Sequence, residues 1–135
     1  RKQFKLSNGD LTAIYNSRTF CLYEDIDQIK SNGLAKGGSL ENAIVVKENK
    51  ILNDTGLRNR DEFVNHKILD CIGDLMLSGY RIFGHIKTSQ GGHQLTNALL
   101  NEFLLNKSNW QLISHDEKEK GNKDNSYARP IAASG

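Results

Sequence analysis

Two stretches of the chain repeat apolar residues at helical spacing. From Asp61 to Ser78, the residues Val64, Ile68, Cys71, Ile72 and Leu75 fall on one side of a helical wheel. A stripe of that kind is expected to pack on a sheet or another helix. From about His93 to Asn106, Leu95, Leu99 and Phe103 repeat in the same way. Elsewhere the apolar runs are shorter. Arg18 to Tyr23 is aromatic-rich and predicts a strand, and Asn42 to Lys47 holds the run Ala43-Ile44-Val45-Val46 and predicts another. Between them, Glu24 to Asn32 carries Ile26 and Ile29 on one side of a short helix. Residues 18–47 therefore predict strand, helix, strand, a compact βαβ unit. Arg81 to Lys87 alternates Ile82, Gly84 and Ile86 with polar neighbours, and Trp110 to Ser114 is apolar at its start; both predict strands. Arg1 to Leu6 alternates loosely, also as a strand would, and Leu11, Ala13 and Ile14 predict a short helix after the Gly9-Asp10 turn.

Breaks in the pattern sit between these elements. Gly33 and Gly79 follow the last residues of two predicted helices, where glycine is favoured. Gly37-Gly38-Ser39 is a turn segment, and Ile51 to Leu57 is turn-rich through Asn53-Asp54 and Gly56. Asn59 with Glu62 resembles a capping box in which Asn replaces Ser or Thr. From His115 to Ala128 the chain is charged and polar, the composition of a mobile tail. The expected architecture is α+β: a small β-sheet covered on one face by two α-helices, with a βαβ insert. One domain spans residues 1–114 and includes the insert at 18–47, and a tail spans 115–135.

Composition narrows the function. The chain has 135 residues, 37% hydrophobic and 25% charged, with one proline and twelve glycines. That excludes a collagen-like or wholly disordered chain. No apolar run is long enough to span a bilayer. Eighteen basic against sixteen acidic residues leave a formal charge of +2, too little to argue for a nucleic-acid partner. Cys21 and Cys71 form no CxxC pair and no disulfide framework, which predicts a reduced, cytoplasmic setting.

His66, Asp70 and Asp74 recur every four residues on the strongest helix, roughly opposite its apolar side. An i, i+4 His and Asp pair sets an imidazole beside a carboxylate, one turn apart. Such a pair suits a divalent metal such as zinc, although a catalytic zinc needs a third protein ligand. On spacing alone a solvated helix face is the commoner origin of such a pair. Gly91-Gly92-His93 places two glycines before a histidine at a helix start, which suits either close approach to a ligand or a plain capping turn.

Four ordered motifs bring a family into view. The run Asp61-Glu62-Phe63-Val64-Asn65-His66-Lys67-Ile68-Leu69-Asp70-Cys71-Ile72-Gly73-Asp74-Leu75 resembles the signature helix of the bacterial UDP-3-O-acyl-N-acetylglucosamine deacetylases, zinc amidohydrolases of lipid A biosynthesis. Arg18-Thr19-Phe20 is similar to the family's strand motif. Gly33 to Ser39 followed by Asn42 to Val46 resembles its βαβ insert, and Gly92-His93-Gln94-Leu95-Thr96-Asn97 resembles its helix start. The resemblance covers about residues 4–114.

The resemblance implies a division of labour. His66 and Asp70 become two of three ligands of Zn2+. His93 becomes the catalytic histidine, held protonated by Asp74, and Thr19 a hydrogen-bond donor to the oxyanion. Lys67 meets the substrate diphosphate and Phe20 lies near the nucleotide end. Leu22, Ile26, Gly38, Ser39, Ala43 and Val45 match the wall of the fatty acyl passage, although Leu22, Ile26 and Val45 suit plain core packing as well. The implied substrate is a UDP-sugar carrying an acyl chain, with no nucleic acid and no transmembrane segment involved.

The family's third zinc histidine and its general-base glutamate belong to an N-terminal domain, in a His-Thr-x-Glu-His-type motif that this sequence lacks. The expectation is therefore a C-terminal portion of the enzyme, inactive alone and partnered by that N-terminal domain. Cys21 stands where the family has Gly, Gln90 where it has Lys, and Asn65 where it has Arg. A non-catalytic binding module on the same fold is the alternative reading, and a domain with His66 and Asp70 as solvated helix residues is another.

Overall fold

The computed structural model describes Leu6 and residues 10–113. The strand expected over residues 1–6, Leu6 apart, and the tail expected from residue 115 lie outside the described residues. Contacts group the chain into two compact units, Arg1–Leu69 and Asp70–Gly135. The first holds α1 (Thr12–Tyr15), β1 (Thr19–Leu22), α2 (Ile26–Ser31), β2 (Ala43–Lys47), β3 (Lys50–Ile51) and the first turns of α3 (Glu62–Met76). The second holds, among the described residues, the remainder of α3, then α4 (His93–Leu105) and a 3-10 turn at Lys107–Asn109. Helices and a small mixed sheet make the class α+β.

The sheet has the order β1-β2-β3. β1 and β2 run parallel, with Thr19 opposite Ala43, Phe20 opposite Ile44, Cys21 opposite Val45 and Leu22 opposite Val46. A parallel pair needs a crossover, and α2 supplies it as the βαβ reading expects. α2 stops because Gly33 takes φ +72°, a left-handed conformation that costs glycine little. Its amide donates back to Lys30 O and that of Leu34 to Ile29 O.

Side chains alternate across a strand, so Phe20 and Ile44 share one face, and Thr19, Ala43, Cys21 and Val45 share the other. Ile44 is fully buried. On its face the Phe20 ring meets Phe63 of α3 edge-on, centroids 5.0 Å apart, a geometry the aromatic quadrupoles favour.

The segment read as turn-rich forms more order than its composition suggests. Lys50 and Ile51 pair antiparallel with Lys47 and Val46, and the Leu52 amide donates to Val45 O at 2.9 Å. The buried Asn53 then continues the ladder with its side chain. Its Oδ1 accepts from the Val45 amide at 3.0 Å, and its Nδ2 donates to Ala43 O at 2.8 Å and Leu40 O at 2.6 Å. A side-chain amide has both an acceptor and donors, so one residue satisfies three backbone groups.

Four expectations need correction. Residues 81–87 form no strand; Arg81, Phe83 and His85 are exposed, and Ile86 is 42% exposed. Alternation is only half of a strand, because the backbone also needs a ladder partner, and none pairs with this segment among the described residues. Residues 110–113 likewise form no strand, and Ser114 lies outside the described residues. The capping box does not close reciprocally. Asn59 Oδ1 caps the Asp61 amide at 3.0 Å, but the Glu62 carboxylate turns to Arg18 and to the Arg58 amide instead. The apolar stripe of α3 is only half-buried, whereas Asp74, assigned to the polar side, is 9% exposed. No helix among the described residues is long and apolar enough to cross a membrane.

Candidate active site

In the first unit, the entry of β1 is fastened to the opening turns of α3. Glu62, the first residue of α3, is fully buried. Its Oε1 accepts from the Arg18 amide at 3.1 Å and from Arg18 Nε at 2.9 Å. Its Oε2 accepts from Arg18 Nη2 at 3.2 Å and from the Arg58 amide at 2.6 Å. Burial alone would push this carboxyl up. The Arg18 side chain, the two backbone amides and the Arg18 charge outweigh burial together and hold it at about 2. The same partnership, mainly the hydrogen bond to Glu62, raises the Arg18 guanidinium against the opposing effect of burial.

One turn along, His66 Nδ1 lies 3.3 Å from the backbone carbonyl of Ser17. A carbonyl only accepts, so Nδ1 carries the hydrogen and the lone pair of the neutral ring sits on Nε2. The His66 ring also meets Phe20 edge-on at 6.1 Å. Lys67 holds its ammonium 5.3 Å from the centroid of Phe20, within cation–π range. Phe20 thus joins two residues that the sequence assigned to separate roles. Thr19 opens β1 and is exposed, on the sheet face opposite Phe20.

The second unit holds another close pairing of titratable side chains. His93, the first residue of α4, sets Nδ1 at 2.9 Å from Oδ1 and 3.0 Å from Oδ2 of Asp74 on α3. The carboxylate is an acceptor, so here too Nδ1 carries the hydrogen. Asp74 is nearly closed off, with a side chain 12% exposed, while that of His93 is 65% exposed. His93 Nε2 stands 3.9 Å from Asp70 Oδ1, an electrostatic neighbour beyond hydrogen-bond reach. The loop before His93 is tight. Gln90 takes φ 52°, and a Cβ on Gly91 would lie 2.7 Å from Thr88 Oγ1. Glycine is required there for close approach.

Cys71 lies between Asp70 and Ile72 on α3. Burial pushes its thiol up, Asp74 and Asp70 add to this, and the Thr96 hydrogen bond opposes them. A thiol held protonated is a poor nucleophile and a poor metal ligand. The residues matched to an acyl passage scatter. Ala43 and the buried Val45 share one sheet face, Leu22 is on the other and 51% exposed, Ile26 is half-buried on α2, and Gly38 and Ser39 are exposed.

A zinc ion suits part of this arrangement. His66 has the ring form in which Nε2 is the coordinating atom, with Nδ1–H tied to a backbone carbonyl, as metal-binding histidines generally are. Asp70 supplies an oxygen donor one turn further along the same helix. Among the described residues no group of three or more His, Cys, Asp or Glu is placed to hold a metal ion. What suits zinc here is the form of the His66 ring.

Sequence reasoning missed Glu62, Arg18 and Asn53 as organisers of the site. Arg18 and Glu62 are 44 residues apart, and no local pattern links them. The one signal available was a charged residue inside an aromatic strand run, Arg18 beside Thr19-Phe20.

A model of the family described as UDP-3-O-acyl N-acetylglycosamine deacetylase matches residues 2–105. The chain is 48% identical over 107 residues to the UDP-3-O-acyl-N-acetylglucosamine deacetylase of Mannheimia succiniciproducens, covering 79% of this chain and 35% of that protein. The protein of the same name from Histophilus somni is 49% identical over 107 residues, with the same coverage. That from Idiomarina loihiensis is 44% identical over 113 residues, covering 84% of this chain and 37% of the relative. The chain spans about a third of the length of the curated relatives it matches.

Proposed function

Because this chain belongs to the UDP-3-O-acyl N-acetylglycosamine deacetylase family, we propose that it carries part of the active site of a zinc-dependent amide hydrolase. The substrate is UDP-3-O-acyl-N-acetylglucosamine, the reaction releases acetate and a free 2-amine, and the product enters lipid A biosynthesis in the cytoplasm. The observation that carries the reading is the Asp74–His93 pair: both carboxylate oxygens lie within 3.0 Å of Nδ1, and the ring is otherwise largely open.

That pair gives His93 one working atom. Asp74 holds the hydrogen on Nδ1 and balances the charge of an imidazolium, so Nε2 is the atom that gives up a proton. Water oxygen joins the carbonyl carbon as its proton passes to the general base of the N-terminal domain, and the Nε2 proton then goes to the departing nitrogen as the carbon–nitrogen bond breaks. The charged ring and the Thr19 hydroxyl stabilise the oxyanion. Lys67, its ammonium placed over Phe20, meets the diphosphate as a compact point charge. The insert would meet the acyl chain on more than one of its sides, through Ala43 and Val45 on one sheet face, Leu22 on the other, and Ile26, Gly38 and Ser39 on the crossover. His66 and Asp70 would hold the zinc, with the third ligand from the N-terminal domain that completes the family's polypeptide. When bound, zinc polarises the amide carbonyl and lowers the pKa of its water. Without that other domain the chain is inactive.

Acetate release from UDP-3-O-acyl-N-acetylglucosamine by the full-length protein tests the reading. Release that ends on chelation and returns with zinc is expected. Release untouched by chelation, or no release from the zinc-loaded protein, rejects it.

A further inference from the structure

The Ser17–Arg18 junction contains one peptide group that is used at both ends. Its N–H donates to Glu62 Oε1 at 3.1 Å, and its C=O faces His66 Nδ1 at 3.3 Å. Glu62 and His66 are four residues apart on α3. The order of atoms is therefore carboxylate, peptide N–H, peptide C=O, imidazole Nδ1–H. Glu62 is fully buried and Ser17 and Arg18 are 7% and 5% exposed, so little solvent screens the chain of contacts. A carboxylate accepting from a peptide N–H drives electron density toward that peptide's oxygen and strengthens it as an acceptor. A stronger acceptor at Nδ1–H fixes the orientation and the hydrogen form of the ring.

We propose that Glu62 is a positioning residue for His66. Through the single peptide joining Ser17 to Arg18, its carboxylate locks the ring in the Nδ1–H form and leaves the lone pair on Nε2 as the donor atom. The arrangement does with an intervening peptide what a carboxylate bonded directly to a histidine does at many metal sites. The part that concerns zinc rests on the function proposed above; the form of the ring does not. Arg18 has a separate task. Its guanidinium neutralises the buried charge and keeps Glu62 ionised.

The test is nitrogen NMR of the His66 ring in the full-length protein, metal-free and then titrated with zinc. In the unsubstituted protein the hydrogen is expected on Nδ1. A ring mainly in the Nε2–H form overturns the proposal whatever the variants do. Glu62→Gln keeps the volume and one acceptor oxygen but removes the charge. It is expected to return a measurable share of the ring to the Nε2–H form and to weaken zinc binding by about tenfold or more. Ile44→Ala, a cavity in the buried sheet face, lowers stability without touching the relay. It is expected to leave the ring form and the zinc affinity unchanged. If Glu62→Gln leaves both unchanged, or if Ile44→Ala moves them as far, Glu62 is only structural and the proposal fails. A His66 ring in the Nδ1–H form that is blind to zinc rejects the metal assignment instead, and so separates the two failures.

Discussion

α3 carries two buried carboxylates that meet basic partners from elsewhere in the chain, and they are built in opposite ways. Glu62, in the first unit, is sealed. Its side chain is 0% exposed, its partner Arg18 is 4% exposed, and its oxygens take four hydrogen bonds. Asp74, in the second unit, is nearly as covered at 12%, yet its partner His93 is 65% exposed. The first pair is closed at both ends. In the second, the carboxylate is the fixed end and the imidazole the working end. Buried ion pairs of the first kind are costly to break and contribute modestly to net stability. A histidine gripped at Nδ1 with the rest of its ring accessible is equipped for proton transfer.

Breaking the working end has the largest effect. His93→Ala is expected to lower kcat for acetate release by about 10²–10⁴-fold, while urea unfolding shifts by about 1–3 kcal/mol because the covered Asp74 carboxylate loses its partner. A variant that unfolds without losing turnover inverts the assignment of the two pairs. Glu62→Ala should weigh more on stability. It strands the Arg18 guanidinium in the interior and is expected to cost about 3–5 kcal/mol in urea unfolding.

Acid sharpens the same contrast. The Glu62 carboxyl sits at about 2 when folded, against 4.5 ordinarily. The unfolded chain therefore binds this proton more readily. The stability it contributes is complete above about pH 4.5 and falls away as the pH drops toward 2. Glu62→Gln should flatten that part of a stability-against-pH curve. An unchanged slope would mean that the carboxylate is not held as described.

Asp74→Asn is a gentler cut, because the ring stays in place and loses only its fixed charge. A loss of about 10–100-fold in kcat is expected, with KM little changed. The smallest effect belongs to the loop that delivers His93. Gly91→Ala drives a Cβ to within 2.7 Å of Thr88 Oγ1 and should cost about tenfold or less in kcat. Adding Thr88→Ala should restore most of it. Independent effects of the two changes would show that the contact does not govern His93.

The elements legible in the chain were those whose signal is local. The periodicity of α3 and α4 and the β-branched run of β2 come from neighbouring residues burying one side, and they placed both helices and the parallel pair well. The alternation of Ile82, Gly84 and Ile86 was equally local and misled, since a strand depends on a partner the pattern cannot name. β3 is two residues long and exists only because Val46 and Lys47 lie opposite it. The site divides the same way. His66 and Asp70 stood out by their spacing, whereas the meeting of Asp74 with His93 was implied by resemblance to a family. The Arg18–Glu62 lock was legible by neither route: Glu62 read as a helix cap, and its role depends on a tertiary contact.

Asn53 carries a hazard of chemical ageing. Its amide nitrogen points at two carbonyl oxygens, Leu40 O and Ala43 O. Spontaneous hydrolysis of that amide to an acid, one atom exchanged for another, would turn both attractions into repulsions of oxygen against oxygen. Leu40 and the start of β2 at Ala43 would then be pushed away from residue 53, while the Val45 amide keeps its acceptor. The lifetime of the insert's shape in storage is thus tied to how well burial shields a single asparagine from water.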